Sequence, residues 1–238
     1  MANYSIDLQM DAATVNSLKS GGYSLYAFKA VQTSPSAQPT VWFSTTQYET
    51  NTSLSWQENY QGYDSTSVIV PGGTIVASNS APIDIDETMT IAPDGTVTVA
   101  SGGVPNAMAV VNTASSPYTT GISQEDPSGN YAPLCAFNLN GNMSVTFTPV
   151  EKVLLMFATA VIDTGSVIEQ AFSQGALIDL TGTPSRTVSF AANDGWVPEP
   201  YIKIIAPLSP LDPLLIVADD KAQARFHHAK RAHAAALR

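Results

Sequence analysis

Thr88-Met-Thr-Ile-Ala-Pro-Asp-Gly-Thr-Val-Thr-Val-Ala-Ser101 decides the fold class. On either side of Pro93-Asp94-Gly95, threonine alternates with an apolar residue, so each arm presents one dry face and one wet face, as half-buried strands do. The Pro-Asp-Gly triplet supplies the turn, with glycine at the position that takes a positive φ. The segment is a β-hairpin, and the same period of two recurs along the chain.

Working outward, strands are expected at Tyr4–Met10, Tyr23–Thr33, Thr40–Tyr48, Ser53–Tyr60, Ser67–Val70 and Thr74–Ser78, the last two joined through Pro71-Gly72-Gly73. Further strands follow at Ala107–Asn112, Pro133–Asn138, Ser144–Phe147, Lys152–Ile162, Ser166–Phe172, Ala176–Leu180, Arg186–Ala191 and Tyr201–Ile205. Val153-Leu-Leu-Met-Phe is apolar on both faces and reads as a central strand. Asp11–Gly22 is the single helix expected in the body: Asp11 caps it, Val15 and Leu18 form its apolar stripe, and Gly21-Gly22 end it. These elements predict an all-β protein, an antiparallel β-sandwich spanning residues 1–205.

Asn51-Thr-Ser-Leu-Ser-Trp56 matches Asn142-Met-Ser-Val-Thr-Phe147 in character at each position, which suggests two related halves, 23–103 and 104–205. Residues 206–218 begin with three prolines in seven residues (Pro207, Pro210 and Pro213) and read as an extended surface connector, with Leu214–Ala218 as an anchoring strand or helix start. Residues 219–238 read as a basic, Ala- and His-rich helix whose acidic start and basic end suit the helix dipole.

The chain has 238 residues, 44% hydrophobic and 13% charged, with a net charge of −10. Typical domains carry about 25% charged residues, so Ser, Thr, Asn, Gln and Ala must cover this surface. All twenty carboxylates lie at or before Asp220, against five basic side chains there, a net of −15. Lys221, Arg225, Lys230, Arg231 and Arg238 make the tail basic. An acidic body repels phosphates, which argues against nucleic acid. Single Cys135 excludes an intramolecular disulfide framework and reads as a buried thiol. The N-terminal residues show no signal-peptide pattern, and no apolar run reaches the roughly 20 residues of a spanning helix. Synthesis in the cytoplasm is expected, with any release by a non-classical route.

Chemistry is sparse. His227, His228 and His233 all lie in the tail, so the body holds no histidine base or triad. Their spacings of one, five and six do not match a zinc-binding helix. Asp84 and Asp86 share one side of an extended segment and read either as a fragment of a calcium site or as an acidic edge; no other cofactor is suggested. Nine of the twenty aromatic residues lie between Tyr23 and Tyr63. Alternation in Ser53–Tyr60 puts Leu54, Trp56, Glu58 and Tyr60 on one face. Trp42 and Trp56 are expected in the core. Glu58, Tyr60, Tyr63 and Asp64 are the candidates for ligand or subunit contact, beside Trp56, because rings mixed with amides and acids suit sugars, lipid headgroups or a neighbouring subunit.

Three readings follow. The first is a non-enzymatic protein that self-associates into a homo-oligomer through neutral polar strands and a basic arm of Lys221, Arg225, Phe226, Lys230 and Arg231. The second is a lectin- or toxin-like protein, pore-forming in the extreme, that recognises carbohydrate or lipid headgroups through the aromatic cluster of residues 42–63. The third is a carboxylate-dependent hydrolase.

Overall fold

The computed structural model describes residues 3–34 and 36–219. In chain order the first elements are β1 (Asn3–Gln9), α1 (Ala12–Ser20), β2 (Ser24–Thr33), β3 (Gln38–Pro39), β4 (Phe43–Thr45), β5 (Asn51–Gln57) and β6 (Tyr60–Ser65). Then come β7 (Asn79–Pro82), β8 (Glu87–Ile91), β9 (Val97–Ser101), β10 (Met108–Asn112), β11 (Tyr118–Glu125), β12 (Tyr131–Pro133) and β13 (Cys135–Leu139). The last are β14 (Ser144–Ala158), β15 (Gly175–Asp179), β16 (Ser185–Ala191), β17 (Gly195–Trp196), β18 (Ile202–Ile205), α2 (Asp212–Leu215) and β19 (Ile216–Ala218). With 52% of residues in strands and 6% in helices, the fold is all-β and sandwich-like, as expected.

The strands form three sheets. A four-stranded sheet runs β17-β16-β1-β5, and a six-stranded sheet runs β3-β13-β11-β6-β7 with β12 beside β11. The nine-stranded sheet runs β18-β15-β14-β10-β8-β9, with β2 along β14 and β4 and β19 on β2. Most pairs are antiparallel; β1–β16, β8–β10 and β2–β19 are parallel. One face of the nine-stranded sheet (Leu25, Ala27, Leu155, Phe157) meets Ile6, Leu8 and Leu54 of the four-stranded sheet and Ile122 and Leu139 of the six-stranded one in the main core. The opposite face carries Tyr26, Phe28, Leu154 and Met156, covered by Ile168, Ala171, Leu211 and Leu215.

The hairpin forms with Ile91 opposite Val97 and Glu87 opposite Ser101, turning at Gly95 (φ 83°). Helix α1 is capped as expected, Asp11 accepting from Thr14 N–H at 2.6 Å. Val153 lies within β14, flanked by β2 and β15.

Other expectations are corrected. Ser144–Phe147 and Lys152–Ile162 are one strand, β14, which ends at Ala158. Pro71-Gly72 does turn, with Gly73 N–H donating to Val70 O at 2.9 Å, but its arms form no hairpin strands. Gly72 and Gly73 bond Val167 instead, and Ile75 bonds Gly165. The connector is not purely superficial: Leu211 and Leu215 are fully buried, and Pro213 sits in the first turn of α2, where its missing N–H costs nothing. Strands of both suggested halves mix in every sheet; in the six-stranded one β3, β6 and β7 join β11, β12 and β13. The expected helix over 221–238 lies outside the described residues.

Candidate functional site

Three of the sequence candidates, Trp56, Glu58 and Tyr60, lie around one cluster between the sheets, and its anchor is a residue that alternation alone assigns to the core. In β2, Leu25, Ala27 and Val31 face the main core, whereas Tyr26, Phe28 and Ala30 face the other way. Period two therefore carries Lys29 inward. It is 1% exposed, and its Nζ has no hydrogen-bond partner in the protein. The ammonium lies 5.4 Å from the ring centroid of Trp42 and 5.1 Å from that of Trp56, within cation–π range. Burial pulls its pKa down to about 8, against the opposing pull of Glu151 and Glu58.

Glu151 stands at a bulge in β14, close enough for its charge to act on this lysine. Along β14 and β2, Val150 stands opposite Ala30, yet Val153 stands opposite Lys29, so Glu151 and Lys152 have no partner on β2. Bulges of this kind re-aim side chains. Burial raises the Glu151 carboxyl above its ordinary range; Lys29 opposes that shift and Glu58 adds to it. Tyr4 faces both acids and is pushed up to about 12, first by burial and then by the charges of Glu151 and Glu58. Tyr4 also stacks on Trp56 (5.9 Å between centroids, 14° between planes), and Trp42 meets Trp56 edge-on at 5.3 Å.

The expected strand Ser53–Tyr60 is broken at Glu58-Asn59, where the chain leaves the four-stranded sheet and enters the six-stranded one. Alternation survives the crossing, so Trp56 and Tyr60 both point inward, and Glu58 sits at the corner. Trp42 and Trp56 are core residues, as expected. The expectation that Tyr60 and Tyr63 offer a contact surface is corrected: Tyr60 is 7% exposed, and Tyr63 is fully buried, donating to Cys135 O at 2.7 Å. Asp64 is buried as well and accepts from Asn79 N–H at 2.8 Å. Gln124 completes the cluster, its carbonyl accepting from Trp42 Nε1 at 3.3 Å and its amide donating to Gln57 O at 3.0 Å.

All three sheets thus contribute: Tyr4 and Trp56 from one, Lys29 and Glu151 from the second, Tyr60 and Gln124 from the third. Lys29 Nζ, Trp56 Nε1, Tyr60 OH, Gln124 Oε1 and Glu151 Oε2 are all buried without a partner in the protein. Five clefts of the described surface are lined by other residues, none by Lys29, Glu58, Tyr60 or Glu151. Lys29 and Glu151 escaped the sequence reading, although a lone lysine within the alternating apolar run Leu25–Val31 was the available signal.

Asp84 and Asp86 are exposed. Asp86 adopts φ 69° and accepts from Asn106 N–H at 2.5 Å, while Glu87 turns back to accept from Asp84 N–H at 2.9 Å. Among the described residues, no three His, Cys, Asp or Glu side chains gather around a metal position. Lys221, Arg225, Phe226, Lys230 and Arg231 lie outside the described residues. Among the described residues, no helix is long and apolar enough to cross a membrane.

The surface carries a different candidate. With Ile6, Leu8, Leu54 and Val188 turned inward, the outer face of the four-stranded sheet is a grid in register. Its rows are Ser185-Ser5-Ser55, Thr187-Asp7-Ser53 and Ser189-Gln9-Asn51. One of these nine side chains is charged. Set against family models, curated proteins and solved structures, the chain finds no match, so these residues alone carry the functional reading.

Proposed function

We propose that this chain is a non-enzymatic β-sandwich protein that self-associates, using its neutral polar strands as contact surface and its basic C-terminal segment as a complement to the acidic body. The carrying observation is the outer face of β16, β1 and β5, whose nine registered positions hold a single charge, Asp7, in a chain of net charge −10. A flat face of short hydroxyl and amide side chains costs little side-chain entropy to cover and repels no second copy. The burial of Lys29 supports the non-enzymatic side of the reading, since its amine is built into the joint between sheets, away from solvent. The burial of Tyr60 and Tyr63 takes two of the rings named for the carbohydrate- or lipid-binding alternative off the surface, which favours self-association.

Light scattering coupled to size exclusion tests the reading. The full chain is expected to exceed its 25.1 kDa mass as concentration rises. Truncation after Asp219 is expected to lower that mass, and more so at low salt, where opposite charges attract most strongly. A mass that stays at one chain through the millimolar range refutes self-association.

A further inference from the structure

We infer that two copies join edge to edge through β5, antiparallel about a two-fold axis, so that two four-stranded sheets become one of eight strands. This deepens the proposed self-association and rests on it.

The phase of the hydrogen bonding comes first. Met10 N–H donates to Thr50 O at 2.9 Å, and the β1–β5 register keeps Tyr4, Ile6 and Leu8 opposite Trp56, Leu54 and Thr52. In an antiparallel ladder, bonded and non-bonded pairs alternate. The even-numbered residues of β5 therefore exchange bonds with β1. The N–H and C=O groups of Asn51, Ser53, Ser55 and Gln57 point away from it, toward the sheet's open side, where no described strand pairs. One of these groups, Gln57 O, accepts from the Gln124 side chain. All four residues are exposed.

The occupant follows from charge and symmetry. A two-fold axis at Leu54 sets Ser53 opposite Ser55 of the second copy and Asn51 opposite Gln57. Each of these is a bonded pair, giving about six backbone hydrogen bonds besides the two that would share Gln57 O with Gln124. A strand that pairs with itself meets its own charges, and in an acidic protein any carboxylate on it would face another nearby. Between Thr50 and Gln57 there is no charge; Glu49 and Glu58 stand just beyond the ends.

Four other edges are protected in the usual ways. Strand β18 carries exposed Lys203, β7 ends in Pro82, and β3 contains Pro39. The open side of β9 has β7 packed beside it. Seven residues without proline or charge leave β5 open to a second β5. The contact is smaller than the roughly 1,600 Å² of a standard interface, which makes the dimer concentration-dependent.

The test uses the full chain. Ser55→Pro removes an N–H that points outward, so the β1–β5 ladder keeps its bonds while the dimer loses its own. Sedimentation velocity is expected to show the native chain shifting from one to two copies with concentration and Ser55→Pro remaining at one copy, with unchanged circular dichroism. If Ser55→Pro misfolds, Ser53→Lys/Ser55→Lys sets lysine against lysine across the axis and is expected to give the same loss. A spin label on Ser55→Cys is expected to report a partner label within about 20 Å, as strand pairing requires. Association that persists in both variants overturns the β5 pairing and leaves self-association standing. A native chain that never exceeds one copy overturns both.

Discussion

Replacing Lys29 by Met tests the physical account of the interior most directly. Met keeps an unbranched chain against Trp42 and Trp56 but removes the ammonium. The cost of burying that charge can be read from its titration: the gap between about 8 and the ordinary 10.5 corresponds to about 3 kcal/mol at about 1.4 kcal/mol per pH unit. Because the folded-state pKa is depressed, the unfolded chain binds the extra proton between these two values. The native protein is therefore penalised below pH 8 and regains stability as pH rises from about 8 toward 10.5.

Urea denaturation followed by tryptophan fluorescence, from pH 7 to pH 10, measures this. Lys29→Met is expected to be the more stable protein at pH 7, by up to about 3 kcal/mol. Its advantage should shrink as pH climbs and the wild type catches up. Tyr4 sets the upper limit of the range, because its pKa of about 12 against an ordinary 10 makes the folded state lose stability above pH 10. Lys29→Met/Glu151→Gln removes the acid that the lysine opposes and should show the same flattened profile. A difference between wild type and Lys29→Met that does not change between pH 7 and pH 10 refutes the depressed titration and the reasoning built on it.

Two further outcomes follow from the core. Burial pushes the Cys135 thiol up to about 12, so a thiol reagent at pH 8 should label it only after denaturation; rapid labelling of the native protein contradicts the enclosed core. A Cβ added at Gly121 would run into the Cys135 carbonyl and come within 2.8 Å of the Tyr63 hydroxyl. Gly121→Ala should therefore lower stability by about 1–3 kcal/mol or more, seen as a lower urea midpoint at unchanged slope.

What the sequence determined by itself was everything carried by local periodicity and turn chemistry. Thr-apolar alternation around Pro93-Asp94-Gly95 made a hairpin, Asp11 made a helix start, and Val153–Phe157 read as interior because both of its faces are apolar. The inward placement of Trp42 and Trp56 was legible for the same reason. Strand pairing was not, because period two names two faces without naming what each face meets. Thus Tyr60 and Tyr63 read as contact residues, whereas the structure buries Tyr60 in the main core and Tyr63 on the opposite face of β6, against Ile75, Ala136 and Val167. Tertiary structure alone brought Glu151 near Lys29, at a bulge that no composition signals and across 122 positions of sequence. It also left β5 as an open edge, a property that belongs to its neighbours in the sheet rather than to its own seven residues.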